Sequence, residues 1–165
     1  MQRRKTLRNA LKGKADAADL AAILNEIIAL GGTTAHLTPV SGPIIRQWMD
    51  HDPEASSWVL AEQDGAVIGF QFAEPHSQLP PEAADIASFV KPGITGRGTG
   101  RALFTATRDA CRNLGYKWIN ATIRADNQSG LTYYSAMGFK DWHIDPAAEL
   151  SDGRITGKIS KRFDL

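Results

Sequence analysis

Apolar and polar positions along this chain follow two periods, and the places where the period changes mark its elements. A helical spacing runs from about Asp16 to Leu30, with Leu20, Ile23, Leu24, Ile27 and Ile28 on one stripe. Asp16 or Asp19 is placed to cap its start, and Gly31-Gly32 to end it. Pro43 to about Asp50 predicts a second helix, with proline at its opening. Trp58–Glu62 and Ala66–Phe72 read as two strands joined at Asp64-Gly65, a hairpin turn. Glu74–Glu82 holds Pro75, Pro80 and Pro81 and reads as a loop; Asp85–Val90 is then a fourth strand. Helical spacing returns from about Thr99, with Leu103, Thr107, Ala110, Cys111 and Leu114 on one face and Gly115 at the closing position. Trp118–Ile123 is a short apolar strand, and a short helix follows Asn127. Ile155, Gly157, Ile159 and Lys161 alternate within Gly153–Phe163, which predicts a terminal or edge strand. A first strand is expected near Thr6–Lys12.

Composition adds little to this pattern but excludes several classes. A chain of 165 residues with 42% hydrophobic and 22% charged residues fits one compact domain over 1–165. The net charge of +1 gives no global field for nucleic acid or a membrane surface, and no apolar run approaches a membrane span. The basic groups at Gln2-Arg3-Arg4-Lys5 and at Lys158, Lys161 and Arg162 read as solvated ends. No apolar core follows the basic start, so a secretory leader is not expected. The one cysteine, Cys111, falls on an apolar helix face and reads as a small core residue in a reduced, cytoplasmic setting. His36, His51 and His143 are scattered without metal-ligand spacing, so no metal is expected.

The most informative stretch joins the fourth strand to the third helix. Gly96, Gly98 and Gly100 alternate with Arg97 and Thr99, and Arg101 follows, just where the helix begins. Free N–H groups and the positive end of the helix dipole then converge, which suits an anion and above all a phosphate. The P-loop pattern fails because Thr99 stands where its lysine belongs. The dinucleotide pattern fails because Arg101 and Leu103 stand where a third small residue is required. A second block follows in order: Asn127, Leu131, Tyr133, Tyr134 and Gly138-Phe139. Asn127 and Tyr134 lie two helical turns apart and can face the same groove.

These two blocks together, within Phe89–Phe139, resemble the GNAT superfamily of N-acetyltransferases, whose pattern is Gln/Arg-x-x-Gly-x-Gly/Ala at the start of the helix after the fourth strand. Here the matching run is Thr95-Gly96-Arg97-Gly98-Thr99-Gly100, with Thr95 departing from the first position. The resemblance implies a mixed α/β (α+β) fold: a single twisted, mixed β-sheet flanked by helices, in the order β-α-α-β-β-β-α-β-α-β. It implies acetyl-CoA as co-substrate, its pyrophosphate held by Thr95, Gly96, Arg97, Gly98, Thr99, Gly100 and Arg101. It also implies that strands four and five splay to admit the thioester, with a backbone N–H near Phe89 or Val90 bonding the acetyl carbonyl. Asn127 would cap its helix or bond the pantetheine arm.

What the resemblance implies chemically is acetyl transfer to a primary amine by direct attack in a ternary complex. Such a reaction needs a base for the amine, donors for the carbonyl and an acid for the thiolate. Tyr134 is the expected acid, since a phenol of pKa about 10 suits a thiolate of about 8–9; Tyr133, one position off, would face the sheet. Asp85 aligns with a glutamate of the phosphinothricin-type enzymes and is the expected base, with Glu82, Glu74 and His76 in competition. Asn25 to Ala35 looks like the first helix and loop of the amino-acid-type enzymes, favouring a small amine over a protein amine. No clear counterpart exists for Gln78–Pro81 or for Trp142-His143. The alternatives are an acyl-CoA-binding module acting on a protein amine or serving as a non-catalytic sensor, and an unrelated phosphate-binding module. A homodimer is compatible with this reading; nucleic acid and membrane partners are not expected.

Overall fold

The computed structural model describes residues 5–9, 14–94 and 97–165. In chain order the elements are β1 (Lys5–Asn9), α1 (Lys14–Leu30), α2 (Gly42–Asp50), β2 (Ser57–Gln63), β3 (Ala66–Glu74), β4 (Ala83–Val90), α3 (Thr99–Asn113), β5 (Trp118–Arg124), α4 (Gln128–Met137), β6 (Lys140–Asp145) and β7 (Lys158–Asp164). The strands form one seven-stranded sheet in the order β1-β2-β3-β4-β5-β7-β6. Every neighbouring pair is antiparallel except β4 and β5, which run parallel.

Local chemistry explains most boundaries. Ser41 caps α2 by accepting from the Ile44 N–H, and proline sits in the first turn. Asp64 and Gly65 have φ of 53° and 81°, the paired left-handed geometry of a tight hairpin between β2 and β3. The Gly31 N–H closes α1 on the carbonyls of Ile27 and Ile28. Three expectations need correction. Helix α1 begins at Lys14, so Asp16 lies in its first turn, where a carboxylate favours the dipole, and neither Asp16 nor Asp19 caps it. Leu114 is 40% exposed instead of sharing the buried face of Leu103, Thr107 and Cys111. An additional strand, β6, follows α4, and all its positions are exposed. The expected strand near Thr6–Lys12 is described over Lys5–Asn9; residues 10–12 lie outside the described residues.

Two layers of helix sandwich the sheet. Leu20 and Leu24 of α1 and Ile45 of α2 pack with Leu60, Phe70 and Phe89 on one face. Phe104 and Cys111 of α3 and Tyr134 of α4 pack with Ile86, Ile119 and Ile123 on the other. Trp58 stacks on Phe72 with ring centroids 4.2 Å apart. Burial pushes the Cys111 thiol up to about 12, which keeps it an inert core group. The basic tail is not a solvated end: Lys161 is buried and ion-paired with Asp141, and Arg162 lies over the Trp118 ring at 4.1 Å.

Candidate active site

The parallel pair at the centre of the sheet is short. Strands β4 and β5 are in register only at Ala83↔Trp118, Ala84↔Ile119 and Asp85↔Asn120, although β4 runs on to Val90 and β5 to Arg124. Beyond Asp85 the strands part. On its other edge β4 stays paired with β3, and Lys91 donates to the Ile68 carbonyl at 2.8 Å. Ladder alternation therefore turns the Ala87 and Phe89 N–H groups toward β3, and those of Ser88 and Val90 into the gap. Of the two positions expected to offer a carbonyl donor, Val90 thus presents its N–H; Phe89 spends its own in the ladder, and its ring packs 5.0 Å from Phe70.

A cleft of about 840 Å³ opens at this gap. Its walls bring together Asp85, Ser88, Phe89, Asn127 and Tyr134 with Thr34 and His36 from the loop after α1, His76 and Leu79 from the β3–β4 loop, and Trp142 from β6. Tyr134 is buried, and its hydroxyl lies 2.7 Å from Ser88 Oγ. Burial holds that phenol protonated well above its usual range. Tyr133 does reach the sheet: its hydroxyl accepts from Gln71 Nε2 at 3.0 Å and donates to the Gly100 carbonyl at 2.7 Å, and it also lines the cleft. Gln71 donates as well to Ser88 Oγ at 2.7 Å, so its buried amide links Tyr133 to Ser88 of β4, which in turn meets Tyr134.

Asp85 is half-buried, and its Oδ1 accepts from Asn120 Nδ2 at 2.8 Å. Burial raises its carboxyl above the ordinary aspartate value, while the Asn120 donor and nearby His76 pull the other way. Glu74, its cross-strand partner, is raised too, chiefly by burial. His36 stacks on Trp48 at 5.2 Å, and burial lowers its pKa, favouring the neutral ring. Of the competing bases, His76 lines the cleft, whereas Glu74 and Glu82 do not.

Helix α3 supplies the anion-binding geometry. Gly98 occupies its N-cap at φ 78° and ψ 4°, with no side-chain cap, so the first-turn N–H groups remain available. Arg97, Gly98 and Arg101 are exposed at this end, Thr99 is buried, and Lys5 donates to the Arg97 carbonyl and to Thr99 Oγ1. Thr95 and Gly96 lie outside the described residues. Gly100 has a packing role of its own: a Cβ there would stand 2.7 Å from the Tyr133 ring. Asn127 caps α4, accepting from the Gly130 N–H at 3.0 Å, and its Nδ2 donates to the Thr33 carbonyl. Sequence reasoning missed four polar residues of this site. Gln71, Ser88, Asn120 and Arg124 stand inside strands, and Arg124 is buried, paired with Asp126 at 2.6 Å and donating to the Thr34 carbonyl at 2.9 Å. A polar side chain interrupting an apolar run was the available signal. Among the described residues no group of three or more His, Cys, Asp or Glu is arranged to hold a metal, and no helix is long and apolar enough to cross a membrane.

Comparison with known proteins adds a lineage to this geometry. The sequence pattern of the Acetyltransferase (GNAT) family matches residues 25–139. A mycothiol acetyltransferase from Sanguibacter keddieii is 28% identical over 112 residues, which is 66% of this chain and 34% of that protein. The chain thus spans about a third of the length of such relatives. Two solved structures share the fold over nearly the whole chain. A phosphinothricin acetyltransferase from Sinorhizobium meliloti, in complex with AcCoA, superposes with a TM-score of 0.86 at 24% identity, covering 98% of this chain and 88% of its own. A ribosomal-protein-alanine N-acetyltransferase from Brucella melitensis superposes at 0.87 with 21% identity, covering 97% and 99%.

Proposed function

The chain belongs to the acetyltransferase (GNAT) family, and on that premise we propose that it transfers an acetyl group from acetyl-CoA to the primary amine of a small molecule, by direct attack with both substrates bound. The observation that carries this reading is the gap between β4 and β5. Two backbone N–H groups point into it, Tyr134 closes one side, and Asp85 stands where the strands part. The residues fit acetyl-CoA: the uncapped start of α3 suits its pyrophosphate, and the unpaired edge of β4 suits an amide-bearing arm. A concave cleft lined by His36, Leu79 and Trp142 favours a small acceptor over a folded protein.

Acetyl-CoA, when bound, supplies a thioester-activated acyl group. The chain's own residues then have separate tasks. Asp85 accepts a proton from the ammonium, directly or through water, leaving a nitrogen lone pair free to attack. The Val90 N–H holds the carbonyl oxygen as negative charge develops on it. As the C–N bond forms and the C–S bond breaks, Tyr134 passes its proton to the leaving sulfur, and the Ser88 hydroxyl at 2.7 Å can relay its replacement. Burial makes the phenol a weak acid but keeps it protonated, ready to donate at any working pH.

Thiol release in the presence of acetyl-CoA, screened over free amino acids, amino-acid analogues, polyamines and aminoglycosides, tests this reading. Turnover with at least one small amine is expected. Acetyl-CoA binding without thiol release across the panel, or with release only on a protein amine, would replace it with a binding module or a protein acetyltransferase.

A further inference from the structure

Trp142 belongs to β6, the strand that the sequence pattern did not predict, and it is 48% exposed at the sheet edge. Its indole N–H is nevertheless committed inward, donating to Asn120 Oδ1 at 2.8 Å. An indole nitrogen can only donate, so the Asn120 oxygen must face it and the amide nitrogen must face the other way. That nitrogen donates to Asp85 Oδ1 at 2.8 Å and to Thr122 Oγ1 at 3.0 Å. Asn120 is 3% exposed, so water has little access to substitute for any of these partners. The Trp142 ring is itself fixed edge-on against Trp118, with centroids 5.6 Å apart.

From this chain of contacts we propose that Trp142 is a positioning residue for the acceptor end of the cleft: its indole N–H locks the Asn120 amide, which holds one carboxylate oxygen of Asp85 and leaves the other for the incoming amine. The inference rests on the reading of Asp85 as the base. Without the indole donor the amide can rotate, placing its oxygen against the carboxylate and favouring the protonated acid. Other titratable groups share this environment: Glu74 across the β3–β4 ladder, His76 from the following loop, Tyr134 from α4, and His36 and His143 on the cleft walls. Among the described residues, the hydrogen-bond partners of the Asn120 side chain are Asp85, Thr122 and Trp142, none of these groups but the Asp85 carboxylate itself being titratable.

Two substitutions separate the N–H from the ring. Trp142→Phe keeps an aromatic ring and removes the donor. Trp142→Gln removes the ring but carries an amide N–H the same number of bonds from Cα. Two readouts are followed: the carboxyl carbon of Asp85 titrated by NMR in the free protein, and the acid limb of kcat/KM against pH. In Trp142→Phe both should move upward by about one pH unit, a loss of about tenfold on the acidic side, with little change at high pH. Trp142→Gln should restore most of that shift, and Trp142→Phe should add nothing to an Asp85→Asn background. A carboxyl titration that moves while the acid limb stays put would sink Asp85 as the base and spare the positioning chain. An unmoved carboxyl titration in a folded Trp142→Phe protein, or the same shift in Phe and Gln variants, overturns the inference.

Discussion

The two regions we assign to the two substrates, the start of α3 and the cleft, are built from different materials. At the start of α3, which we assign to the pyrophosphate, the recognition we propose is by backbone: the uncapped first turn after Gly98. At the acceptor end it is by side chains drawn from distant parts of the chain, with His36, His76, Asp85, Asn120 and Trp142 each from a different segment. Backbone recognition needs only a local conformation, so it leaves a local mark, the glycines. Side-chain recognition needs strands in the right register, and it leaves scattered residues that look ordinary one at a time.

The largest test of this contrast is at Gly98. Its φ of 78° strains most L residues, but no atom lies within 4 Å of a built Cβ. Gly98→Asp sets a negative charge beside the proposed pyrophosphate site; like-charge contact costs several kcal/mol, so acetyl-CoA affinity should fall by about 10³-fold. Gly98→Asn, which tolerates the left-handed conformation and carries no charge, should stay near the parent. Equal losses in the two would make the loop a turn and not a phosphate site. Gly100 is the wrong place for this experiment, because any Cβ there meets the Tyr133 ring.

Next in size is Tyr134→Phe, for which kcat should drop by about 10²-fold with acetyl-CoA affinity little changed. A kcat within twofold of the parent would leave Tyr134 as packing against Phe139.

Asp85→Asn probes the acceptor end through pH. A base works only when ionised, and burial raises the Asp85 carboxyl, so the parent's acid limb should lie above the ordinary aspartate range. In Asp85→Asn activity at pH 7 should fall by about 10²-fold and recover at high pH, where the amine is already neutral. The same shift has an opposite consequence for stability. The folded chain holds this proton more tightly than the unfolded chain, so the stability it contributes is full at low pH and is lost as pH rises through the raised value. Asparagine mimics the protonated acid, and the variant's Tm should exceed the parent's at pH 8 and converge with it in acid. A thermal scan at the two pH values decides this.

The smallest effect expected is at Asn127. Alanine there removes the cap of α4 and the donor to the Thr33 carbonyl, for a loss of about 1 kcal/mol in stability and a modest rise in the amine KM. A drop confined to acetyl-CoA affinity would instead place this side chain on the pantetheine arm.

Legibility in the sequence followed the range of each interaction. The hairpin at Asp64-Gly65, the proline start of α2, the α3 stripe apart from Leu114 and the closing glycines at 31 and 115 are written within a few residues, and the structure has them. Strand β6 was not legible, because an edge strand exposed at every position needs no sustained alternation, and Trp142 and Ile144 are too few to mark one. The start of α1 was misread because acidic residues suit both a cap and a first turn. Of the candidate residues, Tyr134, Asp85 and Asn127 were picked out by motif and strand position and line the cleft, with Gly98 at the start of α3. Asn120, Ser88 and Gln71 were not, since their purpose depends on strand partners that only the sheet order reveals.

A sheet held across its middle by three residue pairs also has a predictable rhythm of solvent exchange. Amides on β4 alternate between locked and open: Phe89 and Ala87 are protected by the β3 ladder, while Ser88 and Val90 lack a strand partner and should exchange with deuterium far sooner. A ligand that seats along that edge acts as a temporary eighth strand. Its arrival would be recorded as a selective slowing at alternate amides, a pattern that rigidification of the whole molecule could not produce.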